Sequence, residues 1–170
     1  MQPTRLLLPF TEQLDIEALA FAVRYASSYQ ATLVPLALIP LTKRQWVQGP
    51  RLEAIEQASD FLEALTSQAQ DAGVSVEPYT SETRDTMHTI GNCAQELHCE
   101  EVLLFQRGKT TPLVAPALVT ALLAQQACTL RLVRLAPTLR ARIAPALRSW
   151  RAHTLRSRET VFSHVRRMPV

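Results

Sequence analysis

Short apolar runs separated by longer segments with helical periodicity constrain this chain more than any other feature of its sequence. Arg5 to Phe10 is compact and apolar, like a strand buried on both faces. Leu14, Ala18, Ala22, Tyr25 and Ala26 then recur at helical spacing, with Asp15 and Glu17 early, where the helix dipole favours acids. Ala31 to Leu41 reads as a second strand. Its Pro35 and Pro40 predict a bulge or a sheet edge, because proline cannot donate to a ladder. After a polar loop with Gly49-Pro50, the stripe Leu52, Ile55, Ala58, Leu62, Leu65 and Ala69 predicts a helix closed by Gly73. Val74 to Tyr79 reads as a short strand and Thr80 to Asp85 as a polar loop. Asp85 or Thr86 is placed to cap a helix carrying Ile90, Ala94 and Leu97. Val102 to Phe105 is another buried strand. Gln106 to Thr111 is a loop, Pro112 opens a helix running to about Gln126, and Thr129 to Leu135 is a last strand that Pro137 ends.

Strands alternating with helices imply parallel strands joined by helical crossovers. The expected fold is α/β: an open five-stranded parallel sheet with helices on both faces, over residues 1–137. Residues 138–170 form a separate basic, helical extension. In such sheets ligands sit beyond the carboxyl ends of the strands, here Phe10-Thr11, Ile39-Pro40, Tyr79-Thr80 and Gln106-Arg107-Gly108.

Glycine occurs only at positions 49, 73, 91 and 108, so neither a G-x-G-x-x-G dinucleotide loop nor a G-x-S-x-G elbow can be written. Gly108-Lys109-Thr110 supplies the end of a phosphate-binding P-loop, but the upstream glycine would fall at Leu103. Cys93, Cys99 and Cys128 are three, without a C-x-x-C pair, which argues against a disulfide framework. Cys93, with His88, His98 and Cys99 near it, reads as a small core residue on a helix rather than a zinc ligand, and no metal is expected. Asp15, Glu17, Glu100 and Glu101 read as solvated helix starts and strand entries rather than as a catalytic pair. The run Leu6 to Phe10 is too short and too soon followed by acids for a signal peptide, and Leu113 to Ala124 is too short to span a bilayer. A cytoplasmic protein is expected.

The net charge of +3 conceals an asymmetry. Residues 138–170 hold eight arginines (Arg140, Arg142, Arg148, Arg151, Arg156, Arg158, Arg166 and Arg167) against Glu159, a net +7. That leaves ten basic and fourteen acidic side chains in residues 1–137, a net −4. Leu147, Trp150, Leu155, Val161, Phe162, Val165 and Met168 gather on one side of a helical wheel. Two roles stand open for the extension: packing back on its own or a partner subunit's body, or acting as a contact arm through these arginines and Trp150. The arm would meet an acidic protein or an anionic membrane. Sparse aromatic residues make nucleic acid a weaker partner.

Several phrases carry a family resemblance. Leu6-Leu-Leu-Pro-Phe10 is similar to an opening strand I-L-V-P-V. Ile90-x3-Ala94, followed by Glu100-Glu-Val-Leu-Leu-Phe105, is similar to a third helix and fourth strand, I-x3-A and then D-L-I-V-M-G. Arg107-Gly108-Lys109-Thr110 matches the loop after that strand. Val119-Thr120 and Leu130-Arg-Leu-Val-Arg-Leu135 match the fourth helix and closing strand. Together, over residues 4–136, they resemble the universal stress protein family. The family's nucleotide-binding members carry an acid after the first strand and a G-x2-G-x9-G-[S/T] signature. Here the acid's place is Thr11, the first glycine's is Phe105, the second is Gly108, and the third with its hydroxyl partner falls on Leu118-Val119.

The resemblance therefore implies a degenerate or absent nucleotide site. A non-enzymatic regulatory or stress-response protein is expected, dimerising through Thr129–Leu135 as family members commonly do, with no cofactor. The alternative is an ATP or adenine-nucleotide binder, or slow ATPase, built on Thr11, Ile39, Gly108, Lys109 and Thr110. On that view Lys109 supplies a point charge and Thr110 a helix start. The same three loop residues also suit an ordinary capped turn without a ligand.

Overall fold

The computed structural model describes residues 4–107, 111–125 and 129–136. The extension 138–170, with Arg140, Arg142, Arg148, Trp150, Arg151, Arg156, Arg158, Arg166 and Arg167, lies outside the described residues, as do Gly108, Lys109 and Thr110. The elements run β1 (Arg5–Phe10), α1 (Ile16–Ser28), β2 (Thr32–Pro40), α2 (Lys43–Gln48), α3 (Leu52–Asp71), β3 (Tyr79–Thr83), α4 (Thr86–Glu96), β4 (Glu101–Arg107), α5 (Pro116–Gln125) and β5 (Thr129–Leu135). The strands form one parallel sheet in the order β3-β2-β1-β4-β5.

Alternation along each strand divides the core in two. Leu6, Leu8, Phe10, Leu33, Ala37, Ile39, Leu103 and Phe105 belong to the cluster built with α1 and α3. Leu7, Val34, Leu36, Leu38, Val102 and Leu104 belong to the one built with α4 and α5. This is the consequence of right-handed crossovers: the chain builds outward from β1 to β3, then returns to the other side of β1 for β4 and β5. Phe10 of the central strand stacks on Phe61 of α3, with ring centroids 4.4 Å apart and planes 7° from parallel. Cys93 is buried on the core side of α4, where burial first and the nearby Glu96 second push its thiol up to about 11.

Five local expectations are corrected. First, β2 is an interior strand, not an edge or bulge. Leu33 donates to Ser75 and accepts from Glu77 on the β3 side, and Pro35, two residues on, faces that same side. There only an isolated bridge at Val76 precedes the β3 ladder, which starts at Tyr79, so the missing N–H of Pro35 meets a gap.

Second, the third strand is the polar Tyr79–Thr83 rather than Val74–Tyr79. As the sheet edge it buries only alternate side chains, Ser81 and Thr83, and needs no apolar run. Third, the polar loop after β2 contains α2. Thr42 and Gln45 close a reciprocal capping box at its start, and Gly49, at φ +91°, ends it. Fourth, Leu52 is exposed rather than part of the buried stripe of α3. Fifth, α5 begins at Pro116, not Pro112, because Leu113 takes φ +72° and its backbone bonds elsewhere.

Phe61 is fully buried beneath the central strand. Phe61→Ala is expected to cost about 3–5 kcal/mol of unfolding free energy, read from the midpoint shift in urea denaturation.

Candidate functional site

Strand order reverses between β1 and β4, so the crevice beyond their carboxyl ends is where a sheet of this kind takes a ligand. The two strands pair only at Leu6–Glu101 and Leu7–Val102 and diverge after that. Pro9 sits in the diverging part, on the β4 side, where its missing N–H costs the ladder nothing.

The chain occupies this crevice itself. The Leu113 carbonyl accepts from the Thr11 N–H at 2.7 Å and the Glu12 N–H at 3.3 Å, and the Leu113 N–H donates to the Gln13 carbonyl at 3.2 Å. Leu113 and Val114 are buried. A left-handed leucine costs about 1–2 kcal/mol. Three backbone hydrogen bonds and a buried side chain, each contributing about 1 kcal/mol or more, offset it. The Thr111 hydroxyl donates to the Val114 carbonyl at 2.9 Å and tightens the same turn.

An ion-pair latch reinforces the strap. Arg107, at the end of β4, reaches both carboxylate oxygens of Asp15 at 3.0 and 2.9 Å, a Glu17 oxygen at 2.7 Å and the Ala136 carbonyl at 2.6 Å. Its side chain is 9% exposed. Burial pushes the guanidinium down, but the Glu17 and Asp15 carboxylates more than offset this, and the net direction is up. Asp15 also caps α1 by accepting from the Ala18 N–H at 3.0 Å. Asp15 and Glu17 do stand at a helix start, Glu17 exposed and Asp15 half-buried, and through Arg107 they also hold the ends of β4 and β5 against the first turn of α1. The available signal was an arginine at a strand end facing acids at a helix start, but only the sheet order brings the two together.

Thr11 lies at this crevice, and its hydroxyl is buried without a hydrogen-bond partner among the described residues. Ile39 does not join it, being buried in the core cluster with α1 and α3. Phe105, in the place of the signature's first glycine, is buried and packs edge-on against Phe21 at 5.9 Å. Leu118 and Val119, at the third glycine and its partner, pack in the cluster on the other face. Among the described residues no group of three His, Cys, Asp or Glu side chains could hold a metal ion, and no helix is long and apolar enough to cross a membrane.

A second polar cluster sits near the opposite end of the sheet. Glu101, the first residue of β4, accepts two hydrogen bonds from Arg131 of β5, each 2.7 Å long, and one from the Tyr25 hydroxyl at 3.1 Å. The Arg131 guanidinium also lies over the Tyr25 ring, 5.1 Å from its centroid. The Arg131 hydrogen bonds hold the Glu101 carboxyl below the ordinary range, helped by Tyr25 and opposed by burial. Burial, then Glu101, pushes the Tyr25 phenol up to about 12. This cluster ties α1, β4 and β5 together.

No family model matches the chain, and no curated protein matches it significantly. Solved structures do. A universal stress protein from Archaeoglobus fulgidus aligns with a TM-score of 0.60 at 15% identity, covering 76% of this chain and 92% of that one. One of that family from Burkholderia pseudomallei aligns at 0.59 and 17%, over 76% and 95%. The Archaeoglobus fulgidus protein in complex with dAMP aligns at 0.58 and 13%, over 77% and 97%. The open sheet of the described residues is thus the fold of the universal stress proteins.

Two expectations follow. Arg107→Ala should lower unfolding free energy by about 1.5–3 kcal/mol in urea, the usual contribution of charge-assisted hydrogen bonds. Because the Glu101 carboxyl is depressed in the folded chain, it stabilises the fold above the ordinary carboxylate value of about 4.3. That contribution is lost as pH falls through the lower, folded value. The thermal transition of Glu101→Gln should therefore lie below the parent's at neutral pH, and the gap should close in acid below about pH 4.

Proposed function

We propose that this chain is a universal stress protein-like regulatory protein that works without catalysis in the cytoplasm, as a dimer, and whose ligand crevice is closed by its own backbone. The observation that carries the reading is the Leu113 strap, latched by Arg107 on Asp15 and Glu17 across the strand-order switch. A phosphate at this place needs backbone N–H groups free to face it. The Thr11 and Glu12 N–H groups are instead taken by Leu113. The side chain of Phe105, where the nucleotide signature has glycine, serves the core.

Dimerisation through β5 is supported by its edge position: among the described residues it pairs with β4 alone and leaves Leu132 exposed. The +7 extension, which follows β5 in the sequence, is the contact arm toward an anionic partner.

One observation favours a second reading, an adenine-nucleotide binder or slow ATPase. The buried Thr11 hydroxyl has an unmet hydrogen-bonding capacity at the crevice, and the dAMP-bound structure shares the fold. Titration calorimetry of the full chain with Mg-ATP and with dAMP decides between them. Our reading expects no saturable heat corresponding to a Kd tighter than about 100 μM. Binding tighter than that, weakened by Lys109→Ala and by Thr11→Val, would establish the second reading.

A further inference from the structure

The segment from Lys43 to Leu52 stands out from the body. α2 buries none of its residues, although Trp46 and Val47 lie on it, and Leu52 follows Gly49-Pro50-Arg51 at the start of α3. Trp46 is 44% exposed, Val47 85% and Leu52 67%. Such values describe side chains that protrude, not the walls of a groove into which a peptide could lie. The segment contains Lys43, Arg44 and Arg51 and no acid. Among the described residues none of those three is paired with a carboxylate. Lys43, Trp46 and Val47 share one helical face by their spacing, while Arg44 is tied along the helix to Gln48 at 3.0 Å.

An exposed tryptophan and aliphatic side chains beside unpaired cations suit one kind of surface, the headgroup boundary of an anionic bilayer. The apolar groups enter the interface and the cations meet lipid phosphates. Repulsion argues against the chain's own +7 extension as the occupant, since that segment would bring like charge to like charge. The strands being parallel, β2 ends on the same side of the sheet as β5. Ala136, after β5, therefore lies at the same end of the body as the start of this segment. Two of the acids at that end, Asp15 and Glu17, are already matched by Arg107.

We infer that the Lys43–Leu52 segment is a peripheral docking site for an anionic lipid surface, with Trp46, Val47 and Leu52 entering the interface and Lys43, Arg44 and Arg51 contacting phosphates. This goes beyond the regulatory reading and stands whether or not the crevice takes a nucleotide.

The test uses the full chain carrying Trp150→Phe, which leaves Trp46 as the only indole. Vesicles of equal parts phosphatidylglycerol and phosphatidylcholine should shift Trp46 emission to the blue and protect it from acrylamide; pure phosphatidylcholine vesicles should do neither. In vesicle co-sedimentation, replacing Lys43, Arg44 and Arg51 by Gln should weaken partitioning by about a hundredfold, with each surface cation contributing about fivefold. Trp46→Ser with Val47→Ser and Leu52→Ser should weaken it by at least about tenfold. All six side chains are exposed, so an unchanged thermal transition is expected and separates loss of docking from loss of fold. The inference is overturned if Trp46 emission ignores the anionic vesicles, even while the chain sediments with them through another segment. It is equally overturned if the Gln variant partitions like its parent, or if Trp46 responds to RNA or an acidic peptide but not to vesicles.

Discussion

Burying β1 on both faces is the constraint from which the rest of the molecule follows. Leu6, Leu8 and Phe10 point to one layer and Leu7 to the other, so neither layer of helices can be omitted without exposing the central strand. A single layer would strand either the Phe10–Phe61 stack or the contacts of Leu7 with the α4 and α5 side. Right-handed crossovers then allow one arrangement: α1 and α3 over the strands laid outward from β1, α4 and α5 over those added on its return. That arrangement creates the switch point between β1 and β4, and with it the crevice that defines the candidate site.

What fills the crevice is a local departure held by tertiary contacts. Leu113 adopts a left-handed backbone that leucine avoids, and it does so where its carbonyl can serve two N–H donors following β1. Arg107 draws the acids of α1 onto the same end of the sheet. The strap and the latch act on the same two strands from either side of the divergence. The fold is shared with a protein solved in complex with dAMP; in this chain the Leu113 carbonyl takes the N–H groups that follow β1.

The polar surface divides by role. Glu101, Arg131 and Tyr25 form a closed set of charge-assisted and aromatic contacts that fastens the β5 edge to α1. Lys43, Arg44 and Arg51 are cations without carboxylate partners among the described residues, next to apolar groups that nothing described covers. The first set is spent on holding the fold; the second remains turned outward.

Periodicity carried much of the architecture. β1 and β5, the cap of α4, the Gly73 end of α3 and the core position of Cys93 depend on patterns a few residues long, and short-range patterns survive in any tertiary context that buries them. The alternation of elements likewise determined a parallel, two-sided sheet. Other features waited on tertiary structure because their causes lie far apart in the chain. Pro35 could sit inside the sheet only because β3 begins pairing beyond it. The polar Tyr79–Thr83 could be a strand only because it is an edge. Arg107 found Asp15 across 92 residues, and Pro112 lost its place at a helix start because Leu113 was needed by the loop after β1. Propensity acts between neighbours and was legible. The hydrogen bonds and ion pairs that closed the crevice act between strand ends that only the folded sheet brings within reach, and those the tertiary structure decided.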